Sequence, residues 1–192
     1  MNSPETEVDF ASEKVVTGKD MLDAIKHYLE LNVQFVKNFV KESDAEFSMI
    51  FQIITSDMKS IVFPPELVGN LSKETISSVV KGLAKEYSAI AVIHVAEVWA
   101  LQSGKKTDEK AFTEESRKYG SISNHPDRVE CFNITASYNV QGKMKFTVCM
   151  YPIIRHDDGK RSLDEENMTH YETEKASGLF VIPPEFFVPI EP

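Results

Sequence analysis

Glu97 lies in the most hydrophobic stretch of the chain, Ala89–Leu101, on a strand face otherwise made of Ala91, Ile93, Val95, Trp99 and Leu101. A carboxylate in that setting must find a cation or several hydrogen bonds, or its pKa rises. Two chemistries follow. Glu97 could act as a general base or ligand contact, with Trp99 as an aromatic wall. It could instead be half of a structural ion pair, and Arg128, at the head of the next strand, is the cation that the sequence offers. The ion pair is the expectation, because buried charges are usually paired before they are catalytic. His94 faces away from Glu97, since odd and even strand positions alternate, and is expected to be a satisfied core histidine.

His125-Pro126-Asp127-Arg128-Val129-Glu130 brings four ionisable groups into six residues. His125 with Asp127 suits acid–base chemistry, and Arg128 suits holding a carboxylate or phosphate. The same residues also describe an ordinary turn: Pro126 presets the backbone, Asp127 bonds the main chain and Arg128 caps the following strand. Glu97, His125, Asp127 and Arg128 are therefore the catalytic candidates, and Glu97, Trp99 and Arg128 the ligand-binding ones. No G-x-S-x-G or family cysteine motif places a nucleophile. The two cysteines, Cys131 and Cys149, come without C-x-x-C or H-x-x-x-H spacing, so no metal and no cofactor is expected. Ser103-Gly104-Lys105-Lys106 lacks the glycine spacing of a phosphate loop.

Periodicity indicates the elements that must position these groups. Leu22, Ile25, Leu29, Val33, Val36 and Val40 recur at helical spacing and predict a long amphipathic helix over 19–41. Alternation predicts a strand from Phe47 to Ile54 and a short one at Ile61-Val62-Phe63, stopped by Pro64-Pro65. Ser72 caps a second helix over 73–87. Ala89–Leu101, apolar on both faces, reads as a central strand. Residues 102–128 form a long polar connection.

A hairpin follows. A three-residue loop with Gly142 in a left-handed bulge pairs Tyr138 with Met144, Ala136 with Phe146, Ile134 with Val148 and Phe132 with Met150. That register places Cys131 and Cys149 on one polar face as free thiols. Asp157-Asp158-Gly159-Lys160 predicts another hairpin tip, 168–172 an edge strand and 179–182 a last short strand. The fold expected is α+β, an antiparallel sheet of roughly five strands with two amphipathic helices packed on one face. Residues 1–16 form a flexible tail and 17–192 a single domain.

Val95-Ala96-Glu97-Val98-Trp99, a polar loop, and then His125-Pro126-Asp127-Arg128-Val129-Glu130 resemble a group of small bacterial and phage proteins. These carry a Glu-Ala-Trp-like strand followed by His-Pro-Asp-Arg-x-Glu and have no assigned activity. The match spans residues 95–130 and departs at Val98, where the group tends to have alanine. The resemblance implies that Glu97, Trp99, His125, Asp127 and Arg128 belong together, and that the protein is phage-borne or accessory. It supplies no chemistry.

With 30 acidic against 21 basic residues and a net charge of −9, the chain has no basic surface for nucleic acid. The small basic tip of Arg155-His156 and Lys160-Arg161 does not change that. Its longest apolar stretch is broken by His94 and Glu97, short of the ~20 residues that span a bilayer, so no membrane partner is expected. The acidic start, Met-Asn-Ser-Pro-Glu-Thr-Glu, is unlike a secretory signal, which makes the cytoplasm the expected compartment. The expected function is a non-enzymatic interaction protein with a protein partner. Its surface is looked for on the polar hairpin residues Asn133, Thr135, Ser137, Thr147 and Tyr151 and on the 102–128 connection. The alternative is a small-molecule-binding domain or enzyme using Glu97, Trp99, His125 and Arg128. An apolar C-terminal segment (Phe180, Phe186, Phe187, Val188) is compatible with a homodimer.

Overall fold

The computed structural model describes residues 16–65, 71–101, 117–176 and 180–191. The expected tail, but for its last residue, and positions 102–116 of the polar connection lie outside the described residues. Among those described, the order is α1 (Gly18–Glu42), β1 (Met49–Thr55), β2 (Ser60–Phe63), α2 (Lys73–Glu86), β3 (Ala89–Leu101), β4 (Arg128–Val140), β5 (Lys143–Arg155), β6 (Arg161–Leu163) and β7 (Thr169–Thr173). The strands form one antiparallel sheet in the order β2-β1-β3-β4-β5-β6, with β7 also pairing β5. The class is α+β, as expected. No helix among the described residues is long and apolar enough to cross a membrane.

Local chemistry explains where the helices begin. Thr17 and Asp20 form a reciprocal capping box at the start of α1, the Asp20 amide donating to Thr17 Oγ1 at 3.2 Å and the Thr17 amide to Asp20 Oδ2 at 2.9 Å. Ser72 caps α2 through the Thr75 amide at 3.1 Å.

The two helices lie on opposite faces of the sheet, which corrects the expectation that they share one. Ile25, Leu29, Val36 and Val40 of α1 pack on Ile93, Val95, Phe132 and Ile134. Ile76, Val80 and Ala84 of α2 pack on Phe51, Ile53 and Val92, together with Ile182 and Phe187. The reason lies in β3. A strand apolar on both sides needs a cover on both sides, and one helix goes to each.

The strand count also exceeds five, because the outer edge of β5 carries two short strands. A residue in an antiparallel strand aims its N–H and C=O toward the same neighbour. The Pro152 carbonyl accepts from the Asp164 amide at 2.8 Å, so the donor that proline lacks falls on this outer side. There β6 stops at Leu163 and β7 starts only at Thr169.

The β4–β5 hairpin is shifted by one residue from the expected register. Tyr138 opposes Lys145, Ala136 opposes Thr147 and Ile134 opposes Cys149, around a two-residue turn. Gln141 (φ 52°) and Gly142 (φ 78°) are both left-handed, as a type I′ turn requires. Pairing apolar with apolar was a poor guide because β4 and β5 are covered on both faces. The shift puts Cys149 toward α1 and Cys131 on the opposite face. Both are buried and free.

The chain end is laced into the sheet. Val188 donates to the Ala89 carbonyl at 2.7 Å, Ile190 to that of Asn139 at 2.9 Å, and Gln141 back to that of Ile190 at 3.2 Å. Phe180 to Ile182, expected as part of a strand, are not one. Their hydrogen-bonding edge is not on a ladder, and Ile182 is buried against α2 instead.

The turn assignment is directly testable. Gln141→Asn places the better left-handed residue in a type I′ turn and should raise stability by about 0.5 kcal/mol in urea unfolding. No gain would favour the three-residue loop, in which position 141 is right-handed.

Candidate ligand-binding cavity

Glu97 is held by Arg161, not by Arg128. Arg161 Nη1 lies 3.0 Å from both Glu97 oxygens, and the Phe47 amide donates to Oε2 at 2.9 Å. The Arg161 side chain has no exposed surface and Glu97 only 8%. The other guanidinium nitrogen, Nη2, donates to the Ala45 carbonyl, while Nε is buried without an acceptor. Glu130 is bound by Arg155 through two bonds of 2.6 and 2.7 Å, and Arg155 approaches Glu97 at 3.9 Å.

Topology forces this arrangement. Arg155 and Arg161 directly oppose each other across β5 and β6, and two acids on the same face neutralise them. Burial lifts Glu97 above the ordinary carboxylate range, and the neighbouring Glu130 carboxyl adds to this. The Arg155 guanidinium holds Glu130 below it. Of the basic tip read from the sequence, Arg161 is thus turned inward, while Arg155 stays half exposed beside Glu130.

Arg128 instead lies over the Trp99 ring, 5.0 Å from its centroid, and donates to the His125 carbonyl at 3.3 Å. The Asp127 amide donates to His125 Nδ1 at 3.0 Å, and the His125 ring meets Tyr119 edge-on at 4.5 Å. Trp99, His125, Asp127 and Arg128 are therefore brought together as a strand-entry turn. Glu97 belongs to a separate charge network that shares only a small recess with Trp99. Among the described residues no cluster of His, Cys, Asp and Glu could hold a metal ion.

The larger site is on the α2 side of the sheet, beyond the helix. Strand alternation aims His94, Val98 and Ala100 of β3 at this face, with Asn133, Thr135 and Ser137 of β4 and Phe146, Val148 and Met150 of β5. Register aligns one row across five strands: Phe51, His94, Thr135, Val148 and Tyr171. Phe180 and Val181 close over it from the C-terminal segment. The space between is a cavity of about 510 Å³, within the range of small-molecule sites. A second cavity of about 430 Å³ lies between α1 and β5 and is edged by Lys26, Glu30 and Glu172.

His94 is the singular group in the first cavity. Its ring stacks on Phe51 at 4.7 Å and 16°, with Phe180 at 5.2 Å. Nε2 is buried without a hydrogen-bond partner, so the expectation of a satisfied core histidine is corrected. Burial holds its pKa down to about 4, which leaves the imidazole neutral near pH 7. Of the five polar hairpin residues, Asn133, Thr135 and Ser137 line this cavity. Thr147 and Tyr151 face α1, a consequence of the shifted register. His94 and Arg161 are the two residues whose roles went unread; a lone polar side chain in an apolar strand was the available signal for the first.

Comparison with family models, curated proteins and solved structures finds nothing that matches this chain.

Two outcomes follow from these contacts. Arg161→Met leaves Glu97 buried beside one distant cation and should cost about 3–5 kcal/mol, most of it recovered in Glu97→Leu/Arg161→Met. Equal losses in the single and double variants would refute the pairing. The second outcome concerns pH. With a folded pKa of about 4 against 6.5 unfolded, His94 takes its proton first in the unfolded chain. Its contribution is present above pH 6.5 and lost as pH falls toward 4. The stability difference between the native protein and His94→Phe should therefore change by about 2–3 kcal/mol between pH 7 and pH 4. A pH-independent difference would contradict the depressed value.

Proposed function

We propose that this chain is a small-molecule-binding domain, with its site in the cavity formed by β3, β4, β5 and the C-terminal segment. The observation that carries this reading is His94, which lines a ligand-sized cavity and whose buried Nε2 has nothing bonded to it. Such a nitrogen costs about 1–3 kcal/mol if left bare, and a ligand that bonds it removes that cost. Three polar β4 side chains converge on the same space.

The interaction module expected from composition looked to Asn133, Thr135 and Ser137 for its surface. In a concavity they suit a small molecule better than a protein face. A general base at Glu97 needed that carboxylate free, and its bonds to Arg161 and Phe47 argue against such a role. The binding reading requires no reaction step.

Trp99 is the chain's sole tryptophan and lines the cavity, which makes it a built-in reporter. The neutral dye N-phenyl-1-naphthylamine should bind with one-to-one stoichiometry and quench Trp99 by energy transfer. Val148→Phe, which fills the centre of the row, should abolish this, and Lys26→Phe, at the second cavity, should not. Absence of quenching, or loss in the Lys26 variant alone, would overturn the assignment.

A further inference from the structure

The wall chemistry restricts what can enter, given the binding reading above. None of the described residues lining the cavity is Asp, Glu, Lys or Arg, although 27% of the chain is charged. A charged ligand would lose its hydration there and meet no countercharge. The second cavity, edged by Lys26, Glu30 and Glu172, shows that the absence of charge is not general to this sheet.

The lining is also sorted by row. Asn133, Thr135 and Ser137 form a polar row on β4. Phe146, Val148 and Met150 form an apolar row on β5, one strand spacing or about 4.8 Å away. Thr135 Oγ1 donates to Asn133 Oδ1 at 3.0 Å, so Thr135 offers lone pairs to the cavity and Asn133 its amide hydrogens. His94, directly opposite Thr135 on β3, adds one more unbonded position beside them. Around these stand the rings of Phe146, Tyr171 and Phe180, whose faces and edges favour a flat aromatic guest.

We propose that the cavity takes an uncharged, planar aromatic or heteroaromatic compound with one hydrogen-bonding edge, seated with that edge at His94 and Thr135 and its apolar edge on Val148. His94 is the specificity-determining residue: it holds the polar edge and, being neutral, does not recruit an anion. Ligands of the same ring size with a carboxylate are rejected, and those without any polar atom bind but are not oriented.

The test uses three compounds on one ring system, 2-naphthol, naphthalene and 2-naphthoate, titrated by calorimetry into the native protein and His94→Phe. The phenylalanine keeps the stack on Phe51 and removes Nε2. Naphthol should bind at least about tenfold more tightly than naphthoate and than naphthalene. His94→Phe should weaken naphthol about tenfold and leave naphthalene within about twofold, a split that a merely structural lesion would not produce. Naphthoate binding as tightly as naphthol, or equal weakening of naphthol and naphthalene in the variant, would overturn the ligand class. Failure of all three while N-phenyl-1-naphthylamine still binds also overturns it and leaves the cavity reading standing. Failure of the dye as well removes both.

Discussion

A guanidinium with no exposed surface has to be answered from inside the protein, and the answer given to Arg161 organises much of this fold. Its bonds reach Glu97 on the central strand and the Ala45 carbonyl in the segment that leaves α1. Glu97 in turn takes the Phe47 amide of that segment. One ion pair therefore ties the exit of the long helix, the middle of the sheet and the start of β6. Removing charges from water is expensive, and the pair repays it only because nearly every polar atom finds a partner. Where β5 turns into β6, two arginines would otherwise repel, and the two acids opposite settle their positions. The geometry is over-determined, which suits a fixed anchor and not a group that must exchange protons with a substrate.

The elements themselves were legible because each obeys a local rule. The bounds of β3 and the cap of α2 follow from apolar run length and from Ser72, and α1 follows from its stripe. What was not legible depended on non-local matching. The hairpin register was inferred by pairing like with like, which works for a sheet wet on one side and fails where both faces are covered. The same double cover, already visible in β3, carried the information that the helices must separate. Arg161 sits in a tip that reads as exposed and basic, and 64 positions separate it from Glu97 in the chain. Proximity in sequence favoured Arg128, whose charge the Trp99 ring takes instead.

The two faces of the sheet have been put to different uses. Against α1 the core is packed over β3 and β4 and its polar contacts, such as the Asn32 to Gln52 hydrogen bond of 2.5 Å, are closed, with the charge-edged second cavity left beside β5. On the other face α2 covers only the β1 and early β3 region, and the remainder is roofed by a segment that is not regular structure. Polar side chains on β4 then face a space and not a packed partner. A protein selected for stability alone would fill that space with aliphatic groups. Each face keeps a hollow, and what singles out the binding site is that the described lining on the α2 side carries no charge while the hollow beside α1 is edged by Lys26, Glu30 and Glu172.

Pro152 has a further consequence at the sheet margin. A long, regular outer strand is a template on which other chains can stack into fibrils. By breaking that margin into pieces of three and five residues, the proline denies an incoming strand a continuous run of donors and acceptors. Glu172 adds charge to the longer piece, and the opposite margin, β2, is four residues long. A sheet with two apolar faces is thereby kept from polymerising through its sides.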